Sequence, residues 1–168
     1  MPARQRRFMD ERAQAFLAQA THDLAEQPGF GISELLQRVN GYLHSEAASL
    51  FVVDRATNEL VLEYAASPDA DKVLGVRIRP GQGVVGWVAR FNEDLIVPST
   101  ALDPRFFSGI DQQTGFTTRS ILCVPVASGG KVLGAIEALN KTTGHFNDQD
   151  VVLLQEIAGV LAERLAMQ

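Results

Sequence analysis

The stretch Ser120–Lys141, SILCVPVASGGKVLGAIEALNK, constrains the chain more than any other. Ile121-Leu122-Cys123-Val124 and Val132–Ile136 are short apolar runs, partly β-branched. Between them Ser128-Gly129-Gly130 supplies the positive φ that a tight hairpin turn requires. Pro125 has no N–H to give to a ladder, so it belongs at an edge position or a bulge. Gly134 inside the second run predicts a bulge or a close backbone approach. A hairpin this apolar is not wet on both faces, which places it in the middle of an antiparallel sheet.

From the N-terminus, the pattern predicts a helix over residues 4–27, ended by Pro28-Gly29. Its apolar positions Ala13, Leu17, Ala20 and Leu24 form a narrow seam, with Phe8 and Phe16 near it. Packing on its own domain and packing on a second copy both fit that seam. Ser33 reads as the N-cap of a second helix, with Glu34 in the first turn and Leu35, Leu36, Val39, Tyr42 and Leu43 on the buried face. His44 ends it as a partly exposed residue rather than a ligand. Ala47–Val53 and Glu59–Ala66 read as an antiparallel hairpin around the polar turn Asp54–Asn58. Pro68–Lys72 is a loop, and Gly75–Arg79 alternates as a half-exposed edge strand. Pro80-Gly81-Gln82-Gly83 breaks that strand before a short helix, Val84–Phe91, that carries Trp87. Leu95-Ile96-Val97 is a brief strand, and Ser99–Arg119 a long loop, a length usually associated with function or mobility. The last helix starts at the N-cap Asn147, with Asp150 in the capping-box position. It carries one apolar stripe, Val151, Leu154, Ala158, Leu161 and Leu165, and a second, Leu153, Ile157 and Val160. Two stripes exceed what a one-sided surface helix needs, so one is expected to face the sheet and the other a partner. A helix running to the end of the chain without a stop signal suggests an output domain beyond it.

Composition narrows the function. A chain of 168 residues fits one domain plus a helical appendage, divided here into 1–28 and 29–168. A net charge of −5 gives no footprint for nucleic acid or an anionic membrane. No apolar run approaches a membrane span and the N-terminus lacks a signal-peptide core, so a cytoplasmic protein is expected. Cys123 is the single cysteine, which excludes an internal disulfide, a CxxC pair and a multi-cysteine zinc site; in its apolar strand it reads as a buried small hydrophobe. His22, His44 and His145 share no ligand spacing, and no metal or haem is expected. Gly81–Gly86 is a literal GxGxxG, and Val88 extends it to a kinase-like form. The strand before it is half exposed, and the lysine strand, catalytic loop and magnesium aspartate of a kinase are missing. The glycines are therefore read as letting a strand turn sharply into a closely packed helix.

Four segments in order carry a resemblance: EAASLFVVDRATNELVLEYAAS, VRIRPGQGVVGWVARFNEDLIVPST, TGFTTRSILCVPV and GKVLGAIEALNK with the closing helix. Over residues 30–166 the chain resembles a GAF domain, a small-molecule sensory module of PAS-like architecture. The resemblance implies an α+β fold with a central antiparallel sheet of about six strands. It puts the terminal helices on one face and a ligand pocket on the other, closed by the short helix and the long loop. Asn140-Lys141, Phe146 and Asp150 also resemble a motif of phosphodiesterase and adenylyl cyclase GAF domains, although Val151 stands where that motif has glutamate. The motif is known more as a structural lock than as ligand contacts. Lys141 ends a strand and Asp150 starts a helix, so an ion pair between them would fix the loop that connects them.

For the pocket, Phe106, Phe107 and Trp87 are candidate flat apolar walls, or alternatively loop core. Asp103, Arg105, Thr117, Thr118 and Arg119 are candidate polar contacts, with Arg119 available to a phosphate or carboxylate. Cyclic AMP or cyclic GMP is the first ligand guess. The leading expectation is a non-enzymatic regulatory module that passes ligand state through its terminal helices, as a parallel homodimer, to an output domain. A dimerisation module with a vestigial pocket is one alternative. A free-methionine-sulfoxide-reductase-like enzyme is the other, against which the lone cysteine argues, since that chemistry uses several.

Overall fold

The hairpin seen in the sequence forms β5 (Ile121–Ser128) and β6 (Lys131–Lys141), and both are interior strands. A computed structural model describes residues 9–167. Its single sheet has six antiparallel strands in the order β3-β2-β1-β6-β5-β4. The others are β1 (Ser45–Val53), β2 (Leu60–Ala66), β3 (Arg77–Ile78) and β4 (Leu95–Val97). β4 pairs only with Ile121–Cys123, so Pro125 lies past its end and its missing N–H leaves no gap in a ladder. At Gly134 a Cβ would stand 2.1 Å from the carbonyl oxygen of Phe51, so β1 and β6 approach at a distance only glycine permits.

One face of the sheet is covered by helices. These are α1 (Glu11–Glu26), α2 (Ile32–Leu43) and α6 (Asp148–Ala166), and they share one core with Ala48, Leu50, Leu122, Val124, Ile136 and Ala138. Asp10 caps α1, accepting from the Ala13 N–H at 2.8 Å; positions 4–8 of the expected helix, Phe8 among them, lie outside the described residues. The expected N-cap Ser33 is instead inside the first turn of α2. Gly31 takes the cap position, and the Glu34 carboxylate accepts its N–H at 2.8 Å.

The spare apolar stripe of α6 is covered within the chain. Leu153, Leu154, Ile157, Ala158, Leu161 and Leu165 are all buried, as are Ala13, Ala20 and Leu24 of α1. Asp23 of α1 holds Arg38 of α2 at 2.5 Å, and Arg164 of α6 donates to the Leu24 carbonyl at 2.9 Å. Most of both stripes and of the α1 seam is thus covered within the chain, because α1 lies across α2 and α6, while Leu17, Val151 and Val160 stay half-buried.

On the other face lie three shorter helices, α3 (Ala70–Val73), α4 (Gly83–Phe91) and α5 (Gly109–Thr114). The segments expected to be loops at 68–72 and 99–119 therefore contain α3, a 3-10 turn at Thr100–Leu102, and α5. Among the described residues no helix is long and apolar enough to cross a membrane.

Candidate functional site

Strand alternation turns Ala47, Ser49 and Phe51 of β1, Ile121 of β5, and Glu137 and Leu139 of β6 toward the second face. Over it stands α4, positioned by the glycine loop before it. Gly81 and Gly83 have positive φ, and a Cβ on Gly86 would meet the Gly81 backbone at 2.9 Å. The GxGxxG element is thus a strand-to-helix turn in which Gly81 and Gly83 take left-handed backbone and Gly86 leaves no room for a Cβ. Between the sheet, α4 and the segment 106–118 lies a cleft of about 790 Å³, its open mouth included. Phe106, Phe107, Ile110 and Phe116 wall it, and Asp111, Thr114 and Thr118 bring polar groups.

The sheet side of the cleft carries one charged residue, Glu137. It is 8% exposed, and among the described residues no side chain or backbone N–H donates to its carboxylate. Burial, with the negative charge of Asp111 added, pushes its pKa up to about 8. Asp111 is held in place by Thr118, which donates its N–H and its hydroxyl, each at 2.7 Å. Cys123 lies opposite Glu137 in the β5–β6 ladder and is fully buried. Burial, then the charges of Glu137 and Asp94, pushes its thiol well above the ordinary range, so it holds no nucleophilic thiolate at neutral pH.

The GAF domain family model matches residues 32–165. The chain belongs to the GAF domain family. It is 31% identical over 125 residues to a dual 3',5'-cyclic-AMP and -GMP phosphodiesterase 11A of Takifugu rubripes, covering 66% of this chain and 14% of the relative. It is 28% identical over 138 residues to a probable 3',5'-cyclic phosphodiesterase (pde-5) of Caenorhabditis elegans, covering 77% of this chain and 19% of that one. The chain thus spans less than a fifth of the length of either curated relative. Among solved structures, the GAF domain of a phosphoenolpyruvate-protein phosphotransferase from Coxiella burnetii superposes with a TM-score of 0.83 at 23% identity, over 92% of this chain and 93% of that one. A free methionine-R-sulfoxide reductase from Neisseria meningitidis superposes with a TM-score of 0.76 at 22% identity, over 94% and 92%. At such identities the structures establish the shared fold.

In this GAF domain, the cleft includes Phe106, Phe107 and Thr118 of the eight ligand candidates and leaves out the other five. Arg105 turns back on Asp103, donating to both carboxylate oxygens at 2.9 and 2.7 Å, and its guanidinium sits 4.9 Å from the Trp87 ring centre. That stack removes Trp87, Asp103 and Arg105 from the cleft, and the Arg105 hydrogen bond holds the Asp103 acid below its usual range. The Thr117 carbonyl accepts from the Asn140 amide at 2.8 Å. Arg119 points outward to Glu46, with its side chain 59% exposed. Glu137 and Asp111 were missed by the sequence reading. A single acid within the apolar run Ala135-Ile136-Glu137-Ala138-Leu139 was the available signal for the first; Asp111 had none, being one polar residue among many in its segment.

The Asn140–Asp150 region is tightly connected. Lys141 Nζ lies 2.7 Å from an Asp150 carboxylate oxygen, with each side chain 11% exposed. The same oxygen accepts the Asn147 N–H at 3.1 Å, and Phe146 is buried beside Lys141. Val151, in the glutamate position of the motif, is half-buried against the helix-side core. Lys141→Met is expected to cost about 2 kcal/mol in urea unfolding, below the cost of breaking a fully buried pair because Asp150 keeps the Asn147 N–H and a helix N-terminus. A loss below about 0.5 kcal/mol would reduce the pair to an ordinary surface ion pair.

Proposed function

We propose that this GAF domain is a regulatory sensor that takes a small molecule into the cleft between the sheet, α4 and α5. One observation carries the reading: a mostly apolar cleft in which a few polar groups converge, one of them the carboxyl of the buried Glu137, which has no protein partner. The kinship with cyclic phosphodiesterases makes cyclic AMP and cyclic GMP the first natural ligands to try. The fully buried Cys123 supports a binding role over the thiol chemistry of a sulfoxide reductase.

Ligand state would pass to α6 through the turn after α4, where the Gln155 amide donates to the half-buried Asp94. From there the terminal helices would carry it to an output domain in a cytoplasmic protein. A homodimer would use what these helices leave half-exposed, chiefly Phe16, Leu17, Val152 and Val160.

The test is a metabolite screen by amide NMR, with cyclic AMP and cyclic GMP included. The expected result is a binder that shifts Ser49, Thr114, Thr118 and Leu139 together. Binding that moves only α1 and α6, or no binder at all, would remove the sensor reading.

A further inference from the structure

The cleft is chemically one-sided. Its walls include three acids, Glu137, Asp111 and Asp69, and no lysine or arginine. Of the four arginines adjacent to lining residues, Arg105 is held by Asp103, Arg119 by Glu46 and Arg77 by Asp54 and Glu59, while Arg79 is exposed. Asp69 at the mouth has Lys72 at 3.5 Å, and Asp111 has both donors of Thr118. Of the three, Glu137 alone is without a partner, on the floor of the cleft, with the residue 8% exposed. An anion entering here would lose its hydration and meet three acids, with only the first-turn N–H groups of α4 to receive it. A cation would meet an acceptor with no competing donor, between aromatic rings whose faces also attract positive charge.

Resting on the sensor reading above, we infer that the cleft selects a small organic cation, an amine, amidine or guanidine on an apolar body, with its N–H groups directed at Glu137. The groups facing Glu137 are Asp111 from α5, Cys123 from β5 and Ser49 from β1, while α4 contributes Val84 and Val85. None of them brings a cationic side chain; the first turn of α4 offers only its backbone N–H groups. Before binding, the Glu137 carboxyl holds its proton at neutral pH, in keeping with a pKa of about 8. The cation displaces that proton to solvent: the neutral acid and the ammonium-type ligand become a carboxylate–cation pair and one released H⁺. Affinity therefore rises about tenfold per pH unit up to the pKa of Glu137 and then levels. The same charge pattern disfavours the cyclic phosphate of cyclic AMP or cyclic GMP.

Benzamidine, benzamide and benzoate share one shape and differ in charge, which makes them suitable probes on the full chain. Titrations followed by amide NMR, at pH 6, 7 and 8, are expected to show benzamidine binding in the cleft at least tenfold more tightly than benzoate at pH 8. Its affinity is expected to fall about tenfold per unit down to pH 6. In Glu137→Gln, the preference for benzamidine and the pH slope should both vanish. Calorimetry in two buffers of different ionisation enthalpy should count close to one proton released per benzamidine at pH 7. If benzoate, cyclic AMP or cyclic GMP binds the cleft more tightly than benzamidine, the sensor reading stands and the cation inference falls. If Glu137→Gln keeps the preference, the inference falls likewise. If no probe of any charge shifts the cleft, the cation inference falls, and the sensor reading is decided by the metabolite screen.

Discussion

Glu137→Gln will flatten the pH dependence of stability between pH 5 and 8 and leave the variant more stable than the wild type at pH 8. Glu137 titrates at about 8 in the folded domain, and near the ordinary carboxylate value once unfolding returns it to water. Below about pH 4.5 both states carry the proton and the group contributes no difference. Between there and about pH 8 the unfolded chain gives up the proton while the folded chain keeps it. Stability therefore falls as pH rises, and the loss is complete once the folded group ionises. The full span corresponds to at most about 5 kcal/mol, or roughly 10–20 °C of melting temperature for a chain of this size. Asp23, Asp54 and Asp103 have acids lowered by their arginine or backbone partners, so their contribution is lost only as pH falls below the usual carboxylate range. Asp94 is raised by burial and partly offset by the Gln155 amide, and it acts in the same direction as Glu137. Thermal melts of ligand-free wild type and variant at pH 5, 6, 7 and 8 provide the measurement. Parallel curves for the two proteins would show that the buried carboxyl already ionises freely.

That residue also marks the limit of what the chain reveals when read linearly. The fold was legible because its elements are periodic. The interior hairpin has its turn glycines, β1 and β2 flank a polar turn, and α6 announces its N-cap and its stripes. What failed depended on pairing in three dimensions. Arg105 and Arg119 looked like ligand contacts because nothing in a linear reading shows that Asp103 curls back onto Arg105, or that β1 brings Glu46 beside Arg119. α5 is invisible in the sequence because its six residues GIDQQT have no apolar period to detect. The second stripe of α6 was real, but whether a helix from the same chain or a copy covers it depends on how α1 crosses α2. Ser33 resembled an N-cap in composition, yet Glu34 reaching back to the Gly31 N–H settled the start two residues earlier.

Asn140→Gly is expected to cost about 3–4 kcal/mol and to loosen the cleft wall, an effect out of proportion to one surface-loop side chain. Asn140 is 1% exposed and stands at the end of β6 with φ of 59°, in the left-handed region that asparagine tolerates. Its side-chain oxygen accepts the N–H groups of Arg119 at 2.6 Å and Ser120 at 3.1 Å, and its amide donates to the Thr117 carbonyl at 2.8 Å. One side chain thus satisfies three backbone groups at the point where the covering segment joins β5. Two residues before that junction's end, Thr118 orients Asp111 at the cleft. Glycine keeps the backbone conformation, so the loss reports the clamp alone; alanine would add about 1–2 kcal/mol of left-handed strain. The variant Asn140→Asp separates the two halves of the clamp. It retains the acceptor for Arg119 and Ser120, loses the donor to Thr117, and sets a second negative charge beside Glu46, which the Asn140 amide approaches at 3.4 Å. Urea unfolding gives the energies, and amide hydrogen exchange at 118–120 gives the local effect, with protection expected to fall in Asn140→Gly beyond the change in global stability. A cost below about 1 kcal/mol with unchanged exchange would mean that water replaces the side chain at no loss. The cleft wall would then be held by the backbone bond from Asn140 N–H to the Ser120 carbonyl and by Thr118–Asp111, rather than by the asparagine side chain.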